Sequence, residues 1–205
     1  GGFLGIALLS ALLFFPVLTG KAADGEEELR REYRMYQERF AAIERIEDLE
    51  ENGYEVMEEQ IFPVTLESIC PEELTMVPAV DRACRRLALF FLDDEGQVVY
   101  RYNQLEANYR IPGELSQAVA DVTGVAFSDV NGDGLKDIIL ISRCENPSGD
   151  YAGIPYKVGD VIFQGSGSLY RDWRISDKIN RFSMNKSTNQ ILFYARDGIS
   201  TEFLY

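Results

Sequence analysis

Residues 127–141 read FSDVNGDGLKDIILI, and within that run Asp129, Asn131, Asp133 and Asp137 occupy positions 1, 3, 5 and 9 of a D-x-N-x-D-G-x-x-D loop. Alternate side chains of a tight turn can bring their oxygens to one point, and calcium takes six to eight such hard oxygens at flexible geometry. The carbonyl of Leu135, at position 7, adds a further donor. Gly134 supplies the sharp bend at position 6, and Gly132 relaxes the turn before it. Three carboxylates crowded into so short a loop repel one another unless a cation sits among them. The alternative is a metal-free hairpin turn, because Asp, Asn and Gly favour turns by themselves. Position 12 is Leu140, not a bidentate Glu, which excludes a helix-loop-helix calcium hand. Without that ligand the expected dissociation constant is on the order of 10⁻⁴ M.

The flanks of the loop read as strands. Residues 124–127 enter it, and Ile138 to Ile141 leave it as a continuous apolar run suited to a central strand. Over residues 121–143 the loop and its flanks resemble the calcium loops of FG-GAP and VCBS-type repeats. That resemblance implies that Asp129, Asn131, Asp133, Asp137 and the Leu135 carbonyl hold Ca2+, and that the loop ties two antiparallel strands of one propeller-blade-like unit. Only one copy is visible and no FG or GAP tripeptide accompanies it, so a closed propeller is not expected. The chain as a whole also resembles exported proteins of anaerobic Firmicutes that carry one such repeat, a likeness that implies no particular activity.

The elements around the loop divide the chain into three parts. Residues 1–20 carry no charge, and Phe3 to Leu18 is almost wholly apolar, as in a secretory signal or a membrane anchor. Gly20, Ala22 and Ala23 suit cleavage after Ala22, so residues 1–22 are expected to be a signal peptide or, if uncleaved, an anchor. Residues 23–52 form the second part. From Asp24 to Glu51 the chain is rich in Glu, Arg, Leu and Ala, and Leu29, Tyr33, Tyr36, Phe40 and Ile43 line one helical face, which predicts a long helix ended by Asn52-Gly53. Residues 53–205 then read as an α+β domain with an antiparallel β-meander. Hairpins are expected at 87–102, 158–171 and 191–205, and short helical turns at 113–120 and 172–179.

Composition limits the chemistry. Thirty-four Asp and Glu against twenty Lys and Arg give a formal charge of −14, which repels phosphate backbones, so no nucleic-acid partner is expected. The chain has no histidine, which removes the usual general base, the usual zinc ligand and the Ser-His-Asp arrangement together. Its three cysteines lack C-x-x-C spacing, and Cys70 with Cys84 is the natural pair if a disulfide forms. The long loop 146–156, NPSGDYAGIPY, offers Asp150, Tyr151 and Tyr156 as ligand contacts. These features favour a calcium-stabilised extracytoplasmic module, secreted or at the cell surface, that binds a protein or a carbohydrate there and attaches to the membrane, if at all, through residues 1–20. Two other readings stand beside it: a hydrolase of extracellular polymer working by a carboxylate pair, and a membrane-tethered structural component.

Overall fold

The computed structural model describes residues 18–103, 118–146 and 148–201. Helix α1 spans Leu18–Ala41 and the short helix α2 spans Asp48–Glu51. Strands β1 (Tyr54–Val56), β2 (Phe62–Leu66), β3 (Cys70–Asp81), β4 (Leu87–Leu92) and β5 (Val98–Asn103) come next, and then β6 (Ala118–Ser128), β7 (Asp137–Glu145), β8 (Pro155–Gln164) and β9 (Leu169–Arg171). Helices α3 (Trp173–Arg181) and α4 (Thr188–Thr201) close the order. The chain divides into two units, residues 1–38 and 39–205. The first consists, where described, of α1 up to Glu38, and all that follows concerns the second.

Two antiparallel sheets replace the single meander. In the first, β3 pairs on one side with both β1 and β2 and on the other with β4, which pairs with β5. Pro78, which has no N–H to offer, sits where β2 ends its pairing with β3 and β1 begins. The second sheet is the meander β6-β7-β8-β9. One core lies between the sheets: Leu66, Leu74, Met76, Leu89 and Phe91 of the first meet Val122, Ile138, Leu140 and Ile162 of the second. The outer face of the first sheet is covered by Phe40, Ile43 and Leu49, with Phe90 at 5.6 Å from the Phe40 ring and 5.4 Å from that of Tyr54. Helices α3 and α4 cover the outer face of the second through Ile175, Ile179, Ile191 and Ala195. Central strands thus meet protein on both faces, which explains why β4 reads as the unbroken run LALFFL and β7 begins as DIILI.

Several expectations are corrected by the fold. The helix expected to reach Glu51 stops at Ala41, because the backbone at Glu44 and Arg45 pairs instead with β5: the Val98 N–H donates to Glu44 O at 2.8 Å and Arg45 bridges to Gln97. Asp48 holds that bend by accepting from the Glu44 and Arg45 N–H groups, bonds that keep its carboxyl below the usual range. The hairpin expected at 191–205 is helix α4 over its described part. Ser187 accepts from the Gln190 N–H at 3.1 Å while the Gln190 side chain reaches back to the Lys186 N–H, so a capping signal outweighs the turn reading of Asp197-Gly198. Ala118 to Ala120, read as part of a helical turn, begin β6; residues 113–117 lie outside the described residues. The Cys70–Cys84 pairing is not compatible with the fold. Twelve-residue β3 separates them, and its ends stand ~36 Å apart, whereas a disulfide needs Cα atoms within roughly 7 Å. All three cysteines are free thiols, and burial pushes those of Cys84 and Cys144 up to about 12, where they stay protonated and poorly nucleophilic.

Strand β8 pairs with β7 along Pro155–Ile162 but with β9 only from Ile162, so part of one edge lacks a neighbouring strand. Asn180 of α3 closes it as a peptide group would, accepting from the Gly159 N–H at 2.8 Å and donating to Gly159 O at 2.9 Å. Such close approach requires glycine, since a Cβ there would lie 2.8 Å from Ile191 Cδ1 and 2.9 Å from Asn185 Cβ. Gly159→Ala is expected to destabilise the protein by about 1–3 kcal/mol by overpacking, read as a lower urea midpoint with unchanged slope. Adding Ile191→Val should recover part of the loss.

Candidate functional site

The loop between β6 and β7 is wound by its own side chains. Asp129 accepts from the Gly132 N–H at 2.6 Å through Oδ1 and from the Gly134 N–H at 2.9 Å through Oδ2. Asp133 accepts from the Leu135 N–H at 2.8 Å and from Asn131 Nδ2 at 3.0 Å, and its own N–H donates to Asn131 Oδ1 at 3.2 Å. Gly132 and Gly134 have φ of +80° and +88°, the left-handed region that glycine reaches without strain. Asp129, Asn131, Gly132, Asp133 and Gly134 remain at least partly open to solvent, while Val130 is buried in the core beneath α4.

Asp137 lies apart from this exposed group. It is 0 % exposed, and it joins three segments: Oδ2 accepts from the Val130 N–H at 2.8 Å and Oδ1 from the Gln164 N–H at 3.0 Å. Burial raises its carboxyl above the usual range, and the charges of Asp133 and Asp129 push the same way, against the two amide bonds. Gln164 extends the connection. Its Nε2 donates to Lys136 O at 2.5 Å, and its Oε1 accepts from the Ser68 hydroxyl at 2.8 Å and the Ser68 N–H at 3.2 Å, which links the loop to the first sheet.

Two further side chains reach the loop from elements that sequence reasoning did not connect with it. Arg196 of α4 donates to Asp129 O through Nε at 3.0 Å and a terminal nitrogen at 2.6 Å, and to Ser128 Oγ at 3.1 Å. Tyr170 of β9 stacks on Phe163, with centroids 5.4 Å apart, and the charges of the loop act on its phenol. Burial and the charges of Asp137 and Asp133 hold that phenol above its ordinary range. Arg196 escaped notice because its segment read as a strand. Gln164 and Ser68 carried no motif, since both act through backbone pairing that only the sheet register reveals.

The donor set fits a hard cation in its chemistry: three carboxylates, one amide oxygen and one carbonyl, with each carboxylate oxygen keeping a lone-pair site beyond the amide it binds. Its present arrangement is that of a hydrogen-bonded turn, and no group of three or more Cys, Asp or Glu side chains is gathered as a metal cluster among the described residues. The other candidate contacts do not come together. Asp150 and Tyr151 are exposed at a loop tip, whereas Tyr156 is partly buried against the core between the sheets.

Fold and site together define a two-sheet α+β protein with an acidic loop at one β-turn and a buried carboxylate beneath it. Comparison with known proteins finds no matching family model, no matching curated protein and no matching solved structure. Among the described residues, no helix is long and apolar enough to cross a membrane.

Asp137→Asn keeps the shape but turns an –NH₂ toward one of the two N–H donors, so it is expected to cost about 1–3 kcal/mol. The pH dependence has a definite sign. Because the folded Asp137 binds its proton more tightly than the unfolded one, protonation favours the folded state. In chelator, the advantage of wild type over Asp137→Asn should therefore grow as pH falls from the raised folded value toward the unfolded value of about 3.9. Paired urea titrations from pH 7 to 4 measure this, and a difference flat in pH contradicts it.

Proposed function

We propose that this chain is a calcium-stabilised extracytoplasmic module that binds a protein or carbohydrate at the cell surface, either secreted or held there through residues 1–20. The observation that carries the reading is the Asp129–Asp137 loop. It brings two exposed carboxylates on a tight turn next to a third at the start of β7, whose proton affinity is raised by burial and further by the charges of the other two. A divalent cation at the loop relieves that repulsion, with Asp129, Asn131, Asp133, Asp137 and the Leu135 carbonyl as its ligands. The absence of histidine favours a binding role over hydrolysis. The propeller-blade-like character of β6-β7-β8-β9 belongs to the same reading, as a single unit packed on a second sheet.

Calcium acts here as a structural ion. With a dissociation constant on the order of 10⁻⁴ M, 1 mM calcium adds about 1.4 kcal/mol to stability. For a unit of this size that is a rise in melting temperature of roughly 3–6 °C. Thermal melts of wild type and Asp133→Ala, each in 1 mM calcium and in chelator, test the reading. Wild type is expected to gain those degrees with calcium and Asp133→Ala to gain none. A wild-type melt indifferent to calcium removes the ion from the proposal.

A further inference from the structure

A second polar feature lies between the sheets, distinct from the loop. Leu140 and Asp160 face each other across the β7–β8 pairing, and Ser142 faces Val158. Side chains two apart on a strand share a face, so Ser142 and Asp160 are diagonal neighbours, both on the side turned toward the first sheet with Leu140, Val158 and Ile162. Ser142 is 6 % exposed and Asp160 8 %. Both line a cavity of about 20 Å³ walled by Leu89, Leu140 and Ile162 and bordered by Tyr102 and Arg171.

Asp160 Oδ1 accepts from Arg171 Nε at 2.5 Å and from the Ser176 hydroxyl, whose oxygen in turn accepts from Arg171 Nε at 3.0 Å. Among the described residues no group bonds Asp160 Oδ2 or the Ser142 hydroxyl. Polar groups of largely buried residues are normally hydrogen-bonded, and these two border the same space. Diagonal neighbours on a sheet stand about 7 Å apart, too far for two short side chains to meet but right for two hydrogen bonds through one small molecule.

We infer that a single ordered water molecule occupies this cavity, donating to Asp160 Oδ2 and bonding the Ser142 hydroxyl. The volume matches that of about one water molecule. The Arg171 guanidinium repels a cation from the site, and the Asp160 carboxylate repels an anion, which leaves a neutral molecule that both donates and accepts. The water completes a buried chain that runs from Ser142 on β7 through Asp160 on β8 to Arg171 on β9 and Ser176 on α3.

Oxygen-17 magnetic relaxation dispersion of the full chain counts long-lived internal waters. Ser142→Val, which removes the hydroxyl and fills its space, is expected to lower the dispersion amplitude by one water relative to wild type. Ser142→Ala supplies an independent sign. With water present, the variant loses a hydrogen bond and melts roughly 1–4 °C lower. In a dry cavity it sheds an unsatisfied hydroxyl and melts higher. An unchanged dispersion in Ser142→Val, or a Ser142→Ala protein that melts above wild type, overturns the assignment.

Discussion

Asp137 is the point at which the second sheet, the acidic loop and the first sheet are made to agree. A carboxylate with no exposed surface is tolerated only where donors surround it, and here they are backbone N–H groups from opposite sides: Val130 within the loop and Gln164 at the end of β8. Because both donors are main-chain, the loop cannot shift without also moving the strand beside it. Gln164 carries the constraint across the inter-sheet core to Ser68, and Leu169, just beyond the following turn, donates its N–H to the Tyr100 hydroxyl at 2.9 Å. The loop end of the sandwich is therefore joined by directional polar bonds, while its interior is joined by apolar contact.

The same device recurs with different partners. Asp81 is fully buried where β3 turns toward β4, and it accepts from Arg39 at 2.8 and 3.0 Å and from the Ala83 and Cys84 N–H groups at 2.9 and 3.0 Å. Asp160 relies on Arg171 and Ser176. A hydrophobic pair in place of the Asp81–Arg39 or Asp160–Arg171 pair is often as stable, since desolvation offsets most of what a buried ion pair gains. What these carboxylates provide is register: each fixes an element boundary that apolar packing alone leaves free to slide. Asp81 locates the end of α1 at Arg39, Asp137 locates the loop against β8, and Asp160 locates β9 and α3 against the open edge of β8.

Much of this was readable from residue order, and the parts that were not share a cause. Alternating and continuous apolar runs separated by Gly and Asp turns marked the β4–β5 and β8–β9 hairpins and the strands flanking the loop, because local pattern decides pairing between neighbours. The helical turn read at 172–179 is the helix Trp173–Arg181, which Asp172 caps through the Arg174 N–H at 3.0 Å. Residues 188–201 were misread because Ile191, Phe193 and Tyr194 suit a strand and Asp197-Gly198 suits a turn. Only the surface beneath, which accepts Ile191 and Ala195 one helical turn apart, makes them a helix. The division into two sheets was hidden for the same reason, since nothing local says that β5 and β6 part company. Within the candidate site the loop residues announced themselves by spacing, whereas Gln164, Ser68, Tyr170 and Arg196 came to it through tertiary structure.

The geometry also bears on what an ion at the loop is able to do. Asp137 is already oriented by two amides, Asp129 by two more, and Asp133 by Leu135 and Asn131, so these side chains are ordered by the turn itself. Arg196 anchors α4 to the Asp129 carbonyl, and Val130 buries itself beneath that helix, so stabilising the loop stabilises the α4 layer by the same amount and no more. An increment of about 1.4 kcal/mol is a modest share of the 5–15 kcal/mol that separates folded from unfolded domains. Under the proposed calcium reading such an increment reinforces a joint that already exists, which is the behaviour of a structural ion and not of a switch.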